Sequence, residues 1–527
     1  MSLFVGESII QFQPYCNCLV LVGRTCYLNL NLNSRVDQLL PQHQKHHSQS
    51  QSLSTVLLFS MMDNAEVKKK PKPKPKAKRA REATKRSVVV RVEEGGGGDM
   101  EDFSTDETLK IRASLLQWYY DNQRLLPWRI NHHDDDENDA QGQASDARAY
   151  AVWVSEVMLQ QTRVLTVVDY YNRWMDKWPT LHHLALASQE EVNEMWAGLG
   201  YYRRARFLLE GAKMIVEGGG EFPKTISALR EVRGIGDYTA GAIASIAFKE
   251  AVPVIDGNVV RVIARLKAIS KNPKESKTIK SFWKLAGQLV DPCRPGDFNQ
   301  ALMELGATIC TPLSPSCIAC PVSDQCCALS VSRHHRSVQV TDYPTKVVKA
   351  KQRQDFSAVC VVEILEGLDI QEGAQRNNGF LLVKRPDKGL LAGLWEFPSV
   401  LVDGEADLAT RREAMDHYLK KSFKLDTEEN CSIILREDVG EYVHIFTHIR
   451  LKMYVELLVL HLKGGMSILY GKQDEEAMAW KCADGKSIEN MGLTSGVRKV
   501  YNMIQKFKQN ELPLKPRNTR RKSTSRN

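Results

Sequence analysis

From about Asp106 onward, apolar residues recur every three or four positions, the spacing that lays an apolar stripe along a helix. "TLKIRASLLQWYYDNQ", "AYAVWVSEVMLQQTRVLTVVDYYNRWMDKWP", "LHHLALASQEEVNEMWAGLG", "YYRRARFLLEGAKMIVEGGG", "ISALREVRGIGDYTAGAIASIAF", "VIDGNVVRVIARLKAI" and "SFWKLAGQLV" all carry it. Gly- and Pro-marked turns separate them, so the pattern predicts an all-α body over 105–328 that ends in a cysteine cluster. A polar linker, 329–354, follows. The apolar period then changes to two in "FSAVCVVEIL", "GFLLVKRP" and "HIFTHIRLKMYVELL", while "LATRREAMDHYLKKSF" and "VRKVYNMIQKFK" return to helical spacing. That mixture predicts a separate α+β domain over 355–506. Residues 1–104 hold a Gln/His/Ser stretch, a Lys-Pro run and "GGGG", with little periodicity. They read as a disordered or targeting extension, and 507–527 as a basic tail.

Charge changes the picture of those ends. The formal net charge is +9 over 527 residues. The run "KKKPKPKPKAKRAREATKR" (Lys68 to Arg86) carries 11 basic residues and one acid, and the tail from Lys515 adds 6 basic residues and no acid, so the remainder is net acidic. A solvated tail is the plain reading. A nuclear import signal that also attracts nucleic acid is the sharper one. Residues 1–60 admit an organelle address or an extension upstream of a start at Met61 or Met62. The short apolar pieces there lack the basic flank of a secretory signal, and no apolar run is long enough to span a membrane. With 12 Cys in this length, a disulfide scaffold is not expected, and clustered cysteines suggest a metal.

Four positions carry candidate chemistry. In "LREVRGIGDYTAGAIASIAF", Gly234 and Gly236 mark a tight hairpin between helices, where free N–H groups suit a phosphate oxygen. An ordinary packing corner is the bland alternative. In "PVIDGNVVRV", Asp256 suits a helix N-cap, and a carboxylate there could also stabilise a cationic sugar. Glu156, in "VWVSEVMLQQT", has Trp153, Val157 and Gln160 within one turn, surroundings that raise a carboxyl pKa and make it a proton donor. A solvated helix face is its bland reading. Cys310, Cys317, Cys320 and Cys326 form C-x6-C-x2-C-x5-C. Only one C-x2-C pair is present, so the residues leave zinc and [4Fe–4S] both open, with Cys327 as a spare.

Taken in order, "LPWR", "WVSEVMLQQT", "WAGLGYYRRAR", "DGNVVRV", "FNQALMELGATIC" and the cysteine spacing resemble the adenine DNA glycosylases of MutY type, within the helix-hairpin-helix glycosylase superfamily. The resemblance is strong from Leu109 to Cys326 and continues with gaps to Lys506. It implies a [4Fe–4S] cluster on the four cysteines and a monomer acting on double-stranded DNA with adenine opposite 8-oxoguanine or guanine. It implies Glu156 as the acid that protonates adenine, Asp256 as the carboxylate at C1′, and Tyr238 and Asn258 as their supports. Gln161 and Tyr201 would wedge into the base stack. Endonuclease III-like lyases share the hairpin, the aspartate and the cluster but place a Schiff-base lysine where this chain has Tyr238, so the resemblance implies a monofunctional enzyme that leaves an abasic site. The last domain resembles the family's MutT-like (Nudix) domain through "LLVKRPDKGLLAGLWEFP". Its metal-binding acids are mostly missing: Arg412, Glu413 and Asp416 are followed by His417 and Tyr418. An opposite-base reader at Phe446, Thr447 and His448 is expected instead of a hydrolase. A nucleotide-pool hydrolase and a catalytically dead DNA-binding protein are the remaining alternatives; the eroded Nudix box weighs against the first, and Glu156, Asp256 and Tyr238 together against the second.

Overall fold

The computed structural model describes residues 101–129, 143–347, 351–365, 378–465, 469 and 479–511, together with three short strands near the start of the chain. The Lys68–Arg86 run, the glycine run, most of the acidic loop after His132 and the basic tail lie outside the described residues. In the first unit, Met1–Asp99, β1 (Phe4–Val5), β2 (Ser8–Gln11) and β3 (Val20–Leu21) pair in that order, in a stretch where composition predicts no regular structure.

The second unit, Met100–Asn527, begins with the predicted helices. These are α1 (Thr105–Asn122), α2 (Gln143–Leu159), α3 (Val164–Lys177), α4 (Leu181–Ala185), α5 (Gln189–Trp196), α6 (Arg203–Glu217), α7 (Ile226–Glu231), α8 (Asp237–Ala247), α9 (Gly257–Leu266), α10 (Ser276–Leu289), α11 (Pro295–Thr308) and α12 (Cys327–His334). Their starts follow cap chemistry. Ser104 with Glu107 and Ser188 with Glu191 form capping boxes, which satisfy amides that a helix cannot bond internally. The helices enclose two apolar cores. One is built around Trp153, Trp174 and Trp196 on α2, α3 and α5, with α6 and α8. The other gathers Ile111, Phe282 and Phe298 on α1, α10 and α11, with α9. Met303 packs against both, and the candidate site lies at this seam. The predicted linker is partly ordered, because α12 occupies its first residues.

The α+β domain is built on a seven-stranded sheet. Its strands are β4 (Arg353–Leu365), β5 (Asn378–Lys384), β6 (Trp395–Glu396), β7 (Ser399–Val402), β8 (Cys431–Ile445), β9 (Ile449–Leu462) and β10 (Trp480–Ala483). The main order is β10-β5-β4-β9-β8, with β4 and β9 parallel. Helix α13 (Leu408–Phe423) covers one face; α14 (Gly485–Asn490) and α15 (Ser495–Glu511) cover the other. Helices on both faces bury the centre of β4 continuously, which is why "VCVVEI" lacks a clean alternation. Two departures from the sequence pattern are instructive. "HIFTHIRLKMYVELL" is broken at Phe446–His448 by the β8–β9 turn, closed by Phe446 N–H donating to the Ile449 carbonyl at 2.8 Å. β8 itself was hidden by its "REDVGE" segment, since an end strand carries charge toward solvent.

Candidate active site

Glu156 lies on α2 within the first core and is 7% exposed. The Tyr238 hydroxyl, from the second position of α8, donates to Glu156 Oε2 at 2.5 Å and also lies 3.3 Å from Met303 Sδ. Burial pushes the Glu156 carboxyl up to about 7; the Asp256 charge adds to the rise, while the Tyr238 hydrogen bond and the Arg129 charge pull the other way. Burial also holds the Tyr238 phenol well above its ordinary range, so it remains a donor. The sequence-level expectation of an acid in apolar surroundings therefore has a geometric basis.

Asp256 approaches from the second core. It is the N-cap of α9: Oδ1 accepts from Val259 N–H at 2.7 Å, and Oδ2 accepts from Asn258 Nδ2 at 2.7 Å. Burial raises its pKa, partly offset by those two donors and by the Arg261 charge. Capping and site placement are thus one geometry, and Asn258 is held in turn by Arg261 Nη2 on its Oδ1 at 2.8 Å.

The hairpin places Gly234 at φ +87°, the left-handed region that favours glycine. A Cβ there would also stand 2.6 Å from Phe207 Cβ. Gly236 is exposed and extended, and caps the α8 start. Gln161 and Tyr201 are exposed and both hold positive φ, +58° and +49°, a costly backbone state that clusters at functional sites. From the other domain, the Thr447 hydroxyl meets the Tyr201 hydroxyl at 2.5 Å. Phe446 packs edge-on to His444 at 4.4 Å between ring centroids, and the His448 side chain is exposed. The structure therefore brings Thr447 to Tyr201, while His448 has no ring partner among the described residues.

Cys310, Cys320 and Cys326 pack against the second core, and all four candidate cysteines are free thiols. Burial pushes Cys320 up to about 12 and Cys326 up to about 11, and each feels the charges of Cys310 and Cys317. Among the described residues no three His, Cys, Asp or Glu side chains close around a single-ion position. Buried Arg265 donates to Cys310 Sγ at 3.2 Å and to the carbonyls of Cys310 and Thr311 at 3.1 and 2.7 Å; Arg261 Nε donates to the Cys310 carbonyl at 2.7 Å. Both arginines were missed at the sequence level. Their signal was the four-residue interval in "NVVRVIARL", which puts them on one face of α9. Glu304 was missed too: nearly inaccessible, it binds Arg124 at 2.6 Å and Arg129 of the "LPWR" segment at 2.9 Å.

On α13, Asp416 pairs with Arg436 at 2.9 Å, and both Arg412 and Arg436 are bound to the buried Glu456. Asp416 of the eroded Nudix box and the neighbouring Glu456 are thus held by arginines.

The helical hairpin body is that of a base-excision DNA glycosylase: residues 154–288 match the HhH-GPD superfamily of base excision DNA repair proteins. Residues 373–503 match the NUDIX domain. The chain belongs to the adenine DNA glycosylase family. It is 58% identical over 426 residues to the adenine DNA glycosylase of Arabidopsis thaliana, covering 77% of this chain and 66% of that protein. The Mus musculus enzyme is 42% identical over 437 residues, covering 76% and 78%. The Homo sapiens enzyme is 45% identical over 391 residues, covering 67% and 68%.

Proposed function

We propose that this chain hydrolyses the N-glycosidic bond of adenine opposite 8-oxoguanine, or opposite guanine, in double-stranded DNA, and leaves an abasic site. The observation that carries this reading is the buried Tyr238–Glu156 hydrogen bond within electrostatic reach of Asp256. With Tyr238 donating to Oε2, Oε1 is left to carry the proton that Glu156 delivers to adenine N7. Protonation makes the base a better leaving group, and the Asp256 carboxylate stabilises the sugar cation that develops at C1′. Water then completes hydrolysis at C1′. Tyr238 carries no amine, so no Schiff base forms at its position and strand cleavage is not expected.

Extrusion of the adenine falls to Gln161 and Tyr201, with the Gly234–Gly236 hairpin on a phosphate. Phe446, Thr447 and His448 form the opposite-base reader, a role supported by the Thr447–Tyr201 contact. Cys310, Cys317, Cys320 and Cys326 would hold a [4Fe–4S] cluster. The donor set fits it: four free thiols lie in one short segment, three of them packed on the second core, and they are close enough to feel each other's charge. That cluster would supply a rigid structural pin. The Lys68–Arg86 run supports a nuclear address.

The test is single-turnover excision on a duplex with adenine opposite 8-oxoguanine, beside adenine opposite thymine. Excision from the first alone, with strand breaks only after alkali, is expected. Prompt strand cleavage, or equal action on both duplexes, would overturn the reading.

A further inference from the structure

Arg204, on the first turn of α6, reaches two loops at once. Its Nη1 donates to the carbonyls of Val157, Met158 and Gln160 at 2.7, 3.2 and 2.6 Å. Its Nη2 donates to the carbonyls of Leu199 and Gly200 at 3.5 and 3.2 Å. Val157 and Met158 lie in the last turn of α2, where carbonyls lack intrahelical donors and a cation meets the negative end of the helix. The guanidinium also lies over the Trp196 and Tyr201 rings, at 5.3 and 5.4 Å. Burial lowers the Arg204 pKa to about 10, and its buried Nε is left without a partner. Among the described residues it forms no ion pair. An unbonded N–H and a desolvated charge are both costs, and they accompany one geometric result.

The result lies in two particular carbonyls. Gln160 immediately precedes Gln161, and Gly200 immediately precedes Tyr201. Each is therefore the peptide whose plane sets the φ of a left-handed residue. That region is unfavourable for a residue other than glycine, so two such residues persist only if the surroundings hold them. One planar fork grips both peptides.

We infer that Arg204 is a positioning residue that fastens Gln161 and Tyr201 into one two-pronged unit for opening the base stack at the target pair. The inference rests on the reading that these two residues enter the DNA. Lysine keeps the charge but offers its donors from a single atom, which cannot span both loops.

The experiment uses full-length Arg204→Lys beside Gln161→Ala and Tyr201→Ala. Single-turnover excision is measured on adenine stacked opposite 8-oxoguanine and on adenine in an unpaired bulge. A 2-aminopurine at the target position reports unstacking by fluorescence. Arg204→Lys should lose on the order of tenfold or more on the stacked substrate, as misplaced positioning groups do, with slowed unstacking. Its loss on the bulged adenine should stay under about threefold. Equal losses on both substrates would make Arg204 merely structural and overturn the inference. If the alanine variants slow unstacking while Arg204→Lys does not, the inference falls and the wedge reading stands. If the alanine variants also unstack normally, both fall.

Discussion

At the scale of single residues, Glu156 carries a cost that reveals its role. Its folded-state pKa, about 7, lies above the ordinary 4.5, so protonation favours the folded protein. That contribution is complete below pH 4.5 and is lost as pH rises through about 7. Glu156→Gln keeps an acceptor for the Tyr238 hydroxyl but has no proton to lose. Its melting temperature should therefore exceed that of the wild type by a margin that grows between pH 5 and pH 8, equivalent to on the order of 1–3 kcal/mol. A margin that stays constant across the range would contradict the buried acid. Catalysis should run the other way. Wild-type excision should fall as pH rises through about 7, when the acid is spent, while Glu156→Gln should be about 10²–10⁴-fold slower on the acid side and lack that fall, so that the gap narrows at high pH. A single-turnover pH profile checks both statements.

At the scale of elements, the hairpin separates two glycines with different reasons to be glycine. Gly234 combines φ +87° with a Cβ position 2.6 Å from Phe207, so Gly234→Ala should destabilise the protein by about 1–3 kcal/mol. Gly236 meets nothing within 4 Å, and Gly236→Ala should melt close to the wild type. If the hairpin holds a phosphate as proposed, the added methyl would crowd the opening amides of α8, and DNA affinity should fall while stability does not. Thermal unfolding with a binding titration distinguishes the two; equal melting of both variants would remove the hairpin argument. Helices, caps and hairpin glycines were legible in the chain because each depends on neighbours a few residues away. The β8–β9 turn was not legible from the apolar pattern, because β-favouring residues flank "FTH" closely on both sides without a glycine or proline to mark it.

At the scale of the molecule, the two domains of the second unit meet closely. A Cβ on Gly492 would stand 2.5 Å from Glu194 Cα, and Lys384 binds Glu190 at 3.0 Å across the same contact. Gly492→Val should force the domains apart and separate Thr447 from Tyr201. Preference for 8-oxoguanine over guanine opposite the adenine should then drop by roughly five- to 150-fold, the worth of hydrogen bonds of 1–3 kcal/mol. Excision at saturating protein should persist; unchanged discrimination would mean that the contact does not carry the reading. The arginine-bound acids near α13 lead to another expectation. With Mg²⁺ the full-length protein should not hydrolyse oxidised dGTP, and phosphate release above background would show that the ion pairs yield to metal.

The sequence by itself determined what short-range chemistry determines: where the helices of the body lie, the cap at Asp256, the order of the motifs and the spacing of the cysteines. It could name Glu156, Asp256 and Tyr238 through resemblance, yet Glu156 on an isolated helix reads equally well as a solvated face. Only the tertiary structure decided that it is buried, because its partner Tyr238 lies 82 residues away and Thr447 meets Tyr201 across 246 residues. Arg204 shows the same limit, since nothing in "GYYRRAR" reveals that one of three arginines turns inward. Local periodicity records how a residue sits relative to its own helix. A pKa, a buried charge or a strained φ depends on atoms that folding brings from elsewhere, and those neighbours exist only once the two cores have closed.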